Sequence, residues 1–145
     1  MTTTSVAKEP IAYAKLIGIH ASNRMELADS VQDGFPYKAF LSLTKTMKVS
    51  NQRLANLVQI SDRTLIRRSR EGVLRTDESE RLLRIARIYS LALQLYEGDA
   101  SSALSWLSRS NRALRGESPL EAAKTEEGAR EVEYLIKRLE HGVFS

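Results

Sequence analysis

The apolar positions along this chain recur every three to four residues, the spacing at which side chains share one face of an α-helix. A weakly helical segment spans residues 13–33, and a turn at Gly34 and Pro36 follows it. Further helices are predicted over 37–46, 51–58, 62–70, 77–97 and 100–108, and from Thr125 to Gly142. Since no segment alternates like a β-strand for more than a few residues, the sequence predicts an all-α fold.

Residue types that cap helices stand where several of these helices should begin or end. They are Ser50 before 51–58, Ser61 or Asp62 before 62–70, Gly72 after that helix, Thr76 at the start of 77–97, and Thr125 before the last helix. The first residues, 1 to about 12, are rich in Thr and Ser and are expected to form a mobile tail.

The longest predicted helix, 77–97, is apolar on almost its whole circumference beyond residue 85, and such a helix is buried on most sides. The residues assigned to its dimer or core surface are Leu82, Ile85, Tyr89, Leu93 and Tyr96. Dimerisation through this helix would supply the burial, and a central place in the core of one protomer is the alternative. Trp106, the single tryptophan, is expected in the core rather than at an interface.

Residues 51–70 have the pattern of a helix-turn-helix, in which two short helices cross at a small residue and a tight turn joins them. Ala55 is the small residue, and the apolar residues that would hold the helices together are Leu54, Val58, Ile60 and Leu65. Gln59 occupies a turn position where Gly is common because the backbone often takes a positive φ there. Another residue type can adopt that conformation at a modest cost in free energy.

The second helix of this hairpin would present polar and cationic side chains to a partner. They are Ser61, Arg63, Thr64, Arg67 and Arg68, with Gln52 near the start of the first helix in reach of a phosphate. Arginine binds guanine in the major groove and binds phosphates, and hydroxyl groups contact either kind of acceptor. We therefore expect the hairpin to bind DNA. A plain helical hairpin with solvated arginines is the alternative.

The distribution of charge agrees with a basic middle segment. The net charge is +4, and residues 45–90 hold eleven basic against five acidic side chains, whereas residues 91–145 hold seven against nine. This asymmetry suggests two surfaces with different partners.

The sequence gives little indication that the protein is an enzyme. His20 and His141 are the only histidines and stand far apart, and the sequence contains no metal-ligand spacing, phosphate-binding glycine loop or nucleophile motif. The chain has no cysteine, no apolar run of transmembrane length and no secretory pattern at its start. We expect a cytoplasmic, non-enzymatic protein without metal or cofactor and without a membrane partner.

Several motifs along residues 45–145 occur in an order that resembles the Xre/MbcA/ParS-type antitoxins. They are LANLVQISDRTLIRR, ESERLLR, SWL, the PL before a T-x-x-G-A helix start, and the terminal L-x-x-G-V. Ser110 and Arg115 depart from the pattern, since such proteins often have Pro and a second Gly there. The resemblance implies a helix-turn-helix followed by a toxin-binding domain, and a partner that is often a RES-domain toxin, which consumes NAD⁺.

The resemblance also implies a third surface, on which the last helix and its tail cover the active-site cleft of the toxin. The residues expected there are Lys137, Arg138, Glu140, His141, Val143, Phe144 and Ser145. A cationic helix end with an exposed Val-Phe would suit a cleft that binds an anionic dinucleotide. The alternative is that Val143 and Phe144 pack on the protein's own core.

The sequence thus predicts a lead-in over 1–34, a helix-turn-helix domain over 35–76, and a helical dimerisation and toxin-binding domain over 77–145. The expected function is that of a homodimeric type II antitoxin which also binds operator DNA and represses its own operon. A free-standing transcription regulator without a toxin is one alternative, and an interaction scaffold that binds no DNA is another.

Overall fold

The structure, a computed structural model, describes residues 11–142. Within that range the helices are α1 (Ala12–Lys15), α2 (Arg24–Asp33), α3 (Tyr37–Met47), α4 (Asn51–Leu57), α5 (Asp62–Glu71), α6 (Thr76–Leu95), α7 (Ala100–Ser108), a 3₁₀ turn (Arg112–Leu114), α8 (Pro119–Ala122) and α9 (Glu126–Gly142). Strand pairing in these residues is limited to one isolated bridge between Pro36 and Val73. The predicted all-α fold is confirmed.

The chain divides into two compact units, Met1–Ala86 and Arg87–Ser145, so the boundary lies within α6. The sequence prediction had placed it at residues 76 and 77. The first turns of α6 belong to the first unit because their side chains bond to it: Ser79 Oγ accepts the Phe35 N–H at 2.9 Å, and Arg81 Nε donates to the Val58 carbonyl at 2.7 Å.

The core of the first unit is built from the apolar faces of α3, α4 and α6. Its largest fully buried side chains are Ile17, Phe35, Phe40, Leu43, Met47, Leu54, Leu82 and Ile85. Two serines cap α4 and α5 as predicted, since Ser50 Oγ accepts the Arg53 N–H at 3.0 Å and Ser61 Oγ accepts the Thr64 N–H at 3.2 Å. Each cap satisfies a backbone donor that the helix itself leaves unpaired.

The turn between α2 and α3 lies against the segment that follows α5. Leu74 donates its N–H to the Phe35 carbonyl at 2.8 Å, and Tyr37 donates to the Gly72 carbonyl at 2.9 Å. Gly34 has φ 89°, and a Cβ there would lie 2.2 Å from the Leu74 carbonyl oxygen. A side chain at residue 34 is therefore excluded both by the backbone conformation and by the neighbouring backbone at Leu74.

Thr76 does not have the capping role that the sequence suggested. It is the first residue of α6, and its hydroxyl donates to the Gln32 carbonyl at 2.9 Å. The carboxylate of Glu78 instead accepts the N–H of Arg75, the residue before the helix, at 2.9 Å. This is the reciprocal half of a capping box, in which the third helical residue reaches back to the residue before the helix.

In the second unit, α9 packs its apolar stripe on the segments before it. The buried residues of that stripe are Ala129, Val132, Leu135 and Ile136. Trp106 is 6% exposed and lies in the core, as predicted. Thr125 caps α9 through a 3.0 Å bond from the Gly128 N–H. A Cβ on Gly128 would lie 1.8 Å from the Ala122 carbonyl oxygen, so a glycine here lets α9 approach the end of α8.

The residues assigned to a dimer or core surface on α6 separate into two groups. Leu82, Ile85 and Tyr89 are at most 1% exposed within one protomer, so the core alone accounts for their burial. Leu93 and Tyr96 are only partly buried. Of this set, these two retain surface that a second protomer could cover.

Candidate functional site

The turn between α4 and α5 has the geometry of a helix-turn-helix. Gln59 has φ 59°, the left-handed conformation expected at its position. Ile60 donates its N–H to the carbonyl of Ala55 at 2.8 Å. Ala55, Leu54, Val58 and Ile60 are at most 5% exposed. The small residue and three of the four predicted clamp residues are therefore buried where the spacing predicted them, whereas Leu65 is only partly buried.

The outward face of α5 is strongly basic. Arg63 and Arg67 are exposed, as predicted, and Arg70 lies on the same side of the helix. Among the described residues, no carboxylate lies within ion-pair distance of these three guanidinium groups. Their charge is therefore available to an anionic partner.

The predicted polar residues around this face have different environments. Ser61 is exposed, but its hydroxyl donates to Thr64 Oγ1 at 3.0 Å in addition to capping α5. Thr64 is half-buried. Gln52 is exposed in the first turn of α4, where a side chain can reach past the helix start. Gln52, like Arg63 and Arg67, is thus accessible to a partner, whereas Thr64 is less so.

Arg68 corrects the sequence prediction, because the structure places it inside the first unit rather than on the outward face. It is 4% exposed, and its guanidinium donates to both oxygens of Glu78, from Nε at 2.7 Å and from Nη2 at 3.0 Å. Nη1 also donates to Glu71 at 3.2 Å. Arg68 therefore attaches α5 to α6 and has no free donor face for a duplex.

The pKa values of this pair reflect their mutual stabilisation. The hydrogen bond to Glu78, with the charges of Glu78 and Glu71, raises the pKa of Arg68 against the opposing effect of burial. Burial alone would raise the pKa of Glu78, but the hydrogen bonds from Arg68 and the Arg75 N–H hold it below its ordinary value. Both groups are therefore charged at neutral pH, as a bidentate arginine–carboxylate pair requires.

A second exposed face lies near the end of α9, opposite its apolar stripe. Lys137, Arg138 and His141 are exposed there, and Glu140 is partly buried. Together with Tyr134, which is 65% exposed, the three cationic or titratable residues line a shallow open groove that reaches Gly142. The predicted Val143, Phe144 and Ser145 lie outside the described residues.

Sequence reasoning missed three residues on these faces, namely Ile66, Arg70 and Tyr134. All three follow from helical periodicity: Arg63, Ile66, Arg67 and Arg70 have the spacing i, i+3, i+4, i+7, as do Tyr134, Lys137, Arg138 and His141. The sequence signal was present, but the prediction selected polar residues and so passed over Ile66 and Tyr134, and on α5 it did not extend the pattern to Arg70.

The part of the chain that the structure describes contains neither a metal site nor a membrane-spanning helix. No three His, Asp or Glu side chains come together as a metal site would require, within residues 11–142. In the same residues, no helix combines the length and the hydrophobicity needed to cross a bilayer.

Comparison with known proteins assigns a family domain to each part of the chain. Residues 26–87 match the antitoxin Xre-like helix-turn-helix domain, and residues 91–142 match the C-terminal toxin-binding domain of the Xre/MbcA/ParS antitoxins. The first match thus contains α3 to α5 with most of α2 and the first half of α6, and the second contains α7 to α9.

Three curated relatives carry the name Antitoxin Xre. The protein from Yersinia enterocolitica is 37% identical over 130 residues, which cover 89% of this chain and 88% of the relative. The protein from Photorhabdus laumondii is 30% identical over 132 residues, or 90% and 89% of the two chains. The protein from Pseudomonas putida is 29% identical over 118 residues, or 81% and 72%. The chain therefore belongs to the Xre family of antitoxins, non-enzymatic proteins that combine a helix-turn-helix with a toxin-binding domain.

Proposed function

We propose that this chain is a type II antitoxin that inhibits a RES-domain, NAD⁺-degrading toxin by covering its active site with the end of α9 and the tail, and that it represses its own operon. The observation that carries the proposal is the presence of two exposed cationic faces in two different units. One is the arginine face of α5, and the other is the groove face of α9.

The DNA-binding part of the proposal rests on the outward arginines of a helix-turn-helix. Such a motif places its second helix in the major groove, where arginine binds guanine or phosphate. Replacing Arg63 or Arg67 by Ala is expected to weaken operator binding by about 1–3 kcal/mol if the side chain contacts a base. Arg24→Ala is the matched control, because it removes the same charge from an exposed position on α2.

The measurement is a titration of the DNA upstream of the gene for this chain with the protein, at several salt concentrations. Phosphate contacts predict that the logarithm of the binding constant falls linearly with the logarithm of the salt concentration. If Arg63→Ala and Arg67→Ala bind the DNA as tightly as Arg24→Ala does, α5 does not form the DNA interface. If no duplex is bound with a salt-dependent affinity, the repressor role is wrong.

The toxin-binding part rests on the groove face of α9. Cationic side chains beside an exposed aromatic ring suit a cleft that otherwise holds an anionic dinucleotide. Arg138→Glu and a truncation after Gly142 are each expected to weaken inhibition of NAD⁺ consumption by the co-expressed toxin. Arg109→Glu, which makes the same charge change at an exposed position beyond α7, should inhibit like the unaltered chain.

Titration of the purified toxin with each variant separates this role from its alternative. If Arg138→Glu and the truncated chain still inhibit the toxin at the concentration needed by the unaltered chain, the end of α9 does not cover the active site. A free-standing regulator would bind DNA and inhibit no toxin at all.

The proposal includes a homodimer and a cytoplasmic location. The partly exposed apolar side chains Leu91 and Leu93 in the second half of α6, and Tyr96 directly after its end, are suitable for contact between protomers. A two-fold symmetric dimer predicts an inverted-repeat operator with half-sites about one helical turn apart, or a multiple of it. Because operator DNA and a NAD⁺-consuming partner are both found in the cytoplasm, the protein should act there. Sedimentation of a monomer at micromolar concentration would contradict the dimer.

A further inference from the structure

An apolar residue borders the arginine face of α5. Ile66 is 54% exposed, whereas the apolar residues of the neighbouring α4 are buried. At about 100° per residue, Ile66 lies about 160° around the helix from the buried Arg68, so it points almost directly away from the rest of the unit. Arg63 and Arg70 lie within about 60° of it on the same face.

An exposed isoleucine by itself has no special meaning, because folded proteins expose many single apolar side chains. The position of Ile66 is unusual because of its surroundings. Among the described residues, Arg63, Arg67 and Arg70 have no ion-pair partner, and they stand on the side of α5 that would enter a major groove. A duplex whose major groove receives this side of α5 would bring its base edges close to Ile66.

A β-branched side chain is restricted at χ1, so it presents its methyl groups in a nearly fixed direction. It can neither donate nor accept a hydrogen bond, and it can recognise only an apolar feature of the groove. The major groove has one such feature, the C5-methyl group of thymine. The group in DNA that Ile66 can recognise is therefore the C5-methyl group of thymine.

We propose that Ile66 is a specificity-determining residue that packs on the C5-methyl group of a thymine in each operator half-site, an inference that rests on the proposed DNA-binding function. Ile66 follows Arg63 by three residues, which is about 4.5 Å along the helix axis. Successive base pairs are separated by about 3.4 Å. The thymine should thus lie within one or two base pairs of the base or phosphate that Arg63 contacts.

The test uses the full-length chain and replaces thymine by deoxyuridine, which lacks only the methyl group. The operator is first selected from a pool of randomised duplexes, and each thymine of the selected duplex is then replaced in turn. At one position per half-site, the replacement should weaken binding by about fourfold. This is the change in Kd that corresponds to the free energy of burying one methyl group. Ile66→Ala should bind the thymine and deoxyuridine duplexes with equal affinity.

Met25→Ala is the matched control, because Met25 is 71% exposed and belongs to α2 rather than to α5. It should retain the full sensitivity to deoxyuridine. The role of Ile66 is overturned if the unaltered chain binds every deoxyuridine duplex as tightly as the thymine duplex, or if Ile66→Ala remains as sensitive as the unaltered chain. In either of those outcomes, salt-dependent operator binding by the unaltered chain leaves the proposed function intact. Failure of the unaltered chain to select any duplex overturns the role of Ile66 together with the proposed repressor role.

Discussion

The ion pair between α5 and α6 makes a strong prediction about stability. The side chains of Arg68 and Glu78 are 5% and 7% exposed, and the carboxylate accepts two bonds from the guanidinium and one from the Arg75 N–H. Replacing Glu78 by Ala removes all three hydrogen bonds at once. Arg68 then retains only Glu71, whose side chain is 47% exposed.

The magnitude follows from the burial of the charge that remains. Removing one partner of a buried pair costs about 3–5 kcal/mol, because the other charge is left without compensation. Since Glu71 still compensates part of that charge, we expect a loss near the lower limit, about 3 kcal/mol in the free energy of unfolding. For a chain of this size, that loss lowers the melting temperature by about 6–12 °C.

Asp77→Ala is the matched control, because it also removes a carboxylate from the first turn of α6. Asp77 pairs with Arg81 at 3.3 Å, but its side chain is 69% exposed, so the change should cost no more than about 1 kcal/mol. Urea and thermal unfolding followed by far-ultraviolet circular dichroism measure both variants. The double variant Arg68→Met with Glu78→Leu removes the buried charge altogether and should recover most of the lost stability.

Two results would refute this reasoning. If Glu78→Ala is no less stable than Asp77→Ala, the pair contributes no more than a surface ion pair. If the double variant is as unstable as Glu78→Ala, the loss comes from something other than an uncompensated guanidinium.

Three further predictions concern acid stability and two backbone positions. Because the pKa of Glu78 is lower in the folded protein than its ordinary value of about 4.3, its contribution is present above that pH and is lost as the pH falls towards the folded pKa. As the pH is lowered, the free energy of unfolding should therefore fall less in Glu78→Ala than in the unaltered chain. Equal dependence of the free energy of unfolding on pH in the two proteins would contradict this. Gln59→Gly should stabilise the first unit by up to about 1 kcal/mol, because Gly relieves the left-handed φ of 59°; a loss on urea unfolding would contradict it. Gly128→Ala should destabilise the second unit by about 1–3 kcal/mol despite the higher helix propensity of Ala, because the new Cβ would lie 1.8 Å from the Ala122 carbonyl oxygen. Trp106 fluorescence reports the second unit, and an unchanged midpoint would show that α9 can move away from α8.

Features that depend on a few neighbouring residues were predictable from the sequence. The caps at Ser50 and Ser61 and the αL residue Gly72 bond within three or four positions along the chain, so their residue types carry the information. The αL turn at Gln59 was predicted from its spacing after Ala55 and not from its residue type. The predicted ends of α4 and α5 consequently lie within one residue of the observed ends. Periodicity likewise predicted the burial of the apolar stripe of α9.

Features that depend on a partner from another helix required the tertiary structure. A helical pattern cannot distinguish Arg67, which is exposed, from Arg68, which is buried, because the difference is made by a carboxylate ten residues further along the chain. The same carboxylate supplies the cap that the sequence had assigned to Thr76. The sequence thus predicted the ends of α4 and α5, because the bonds that cap those two helices are local. The tertiary structure decided which charges face outward, because burying an ion is favourable only where another element supplies its counter-ion.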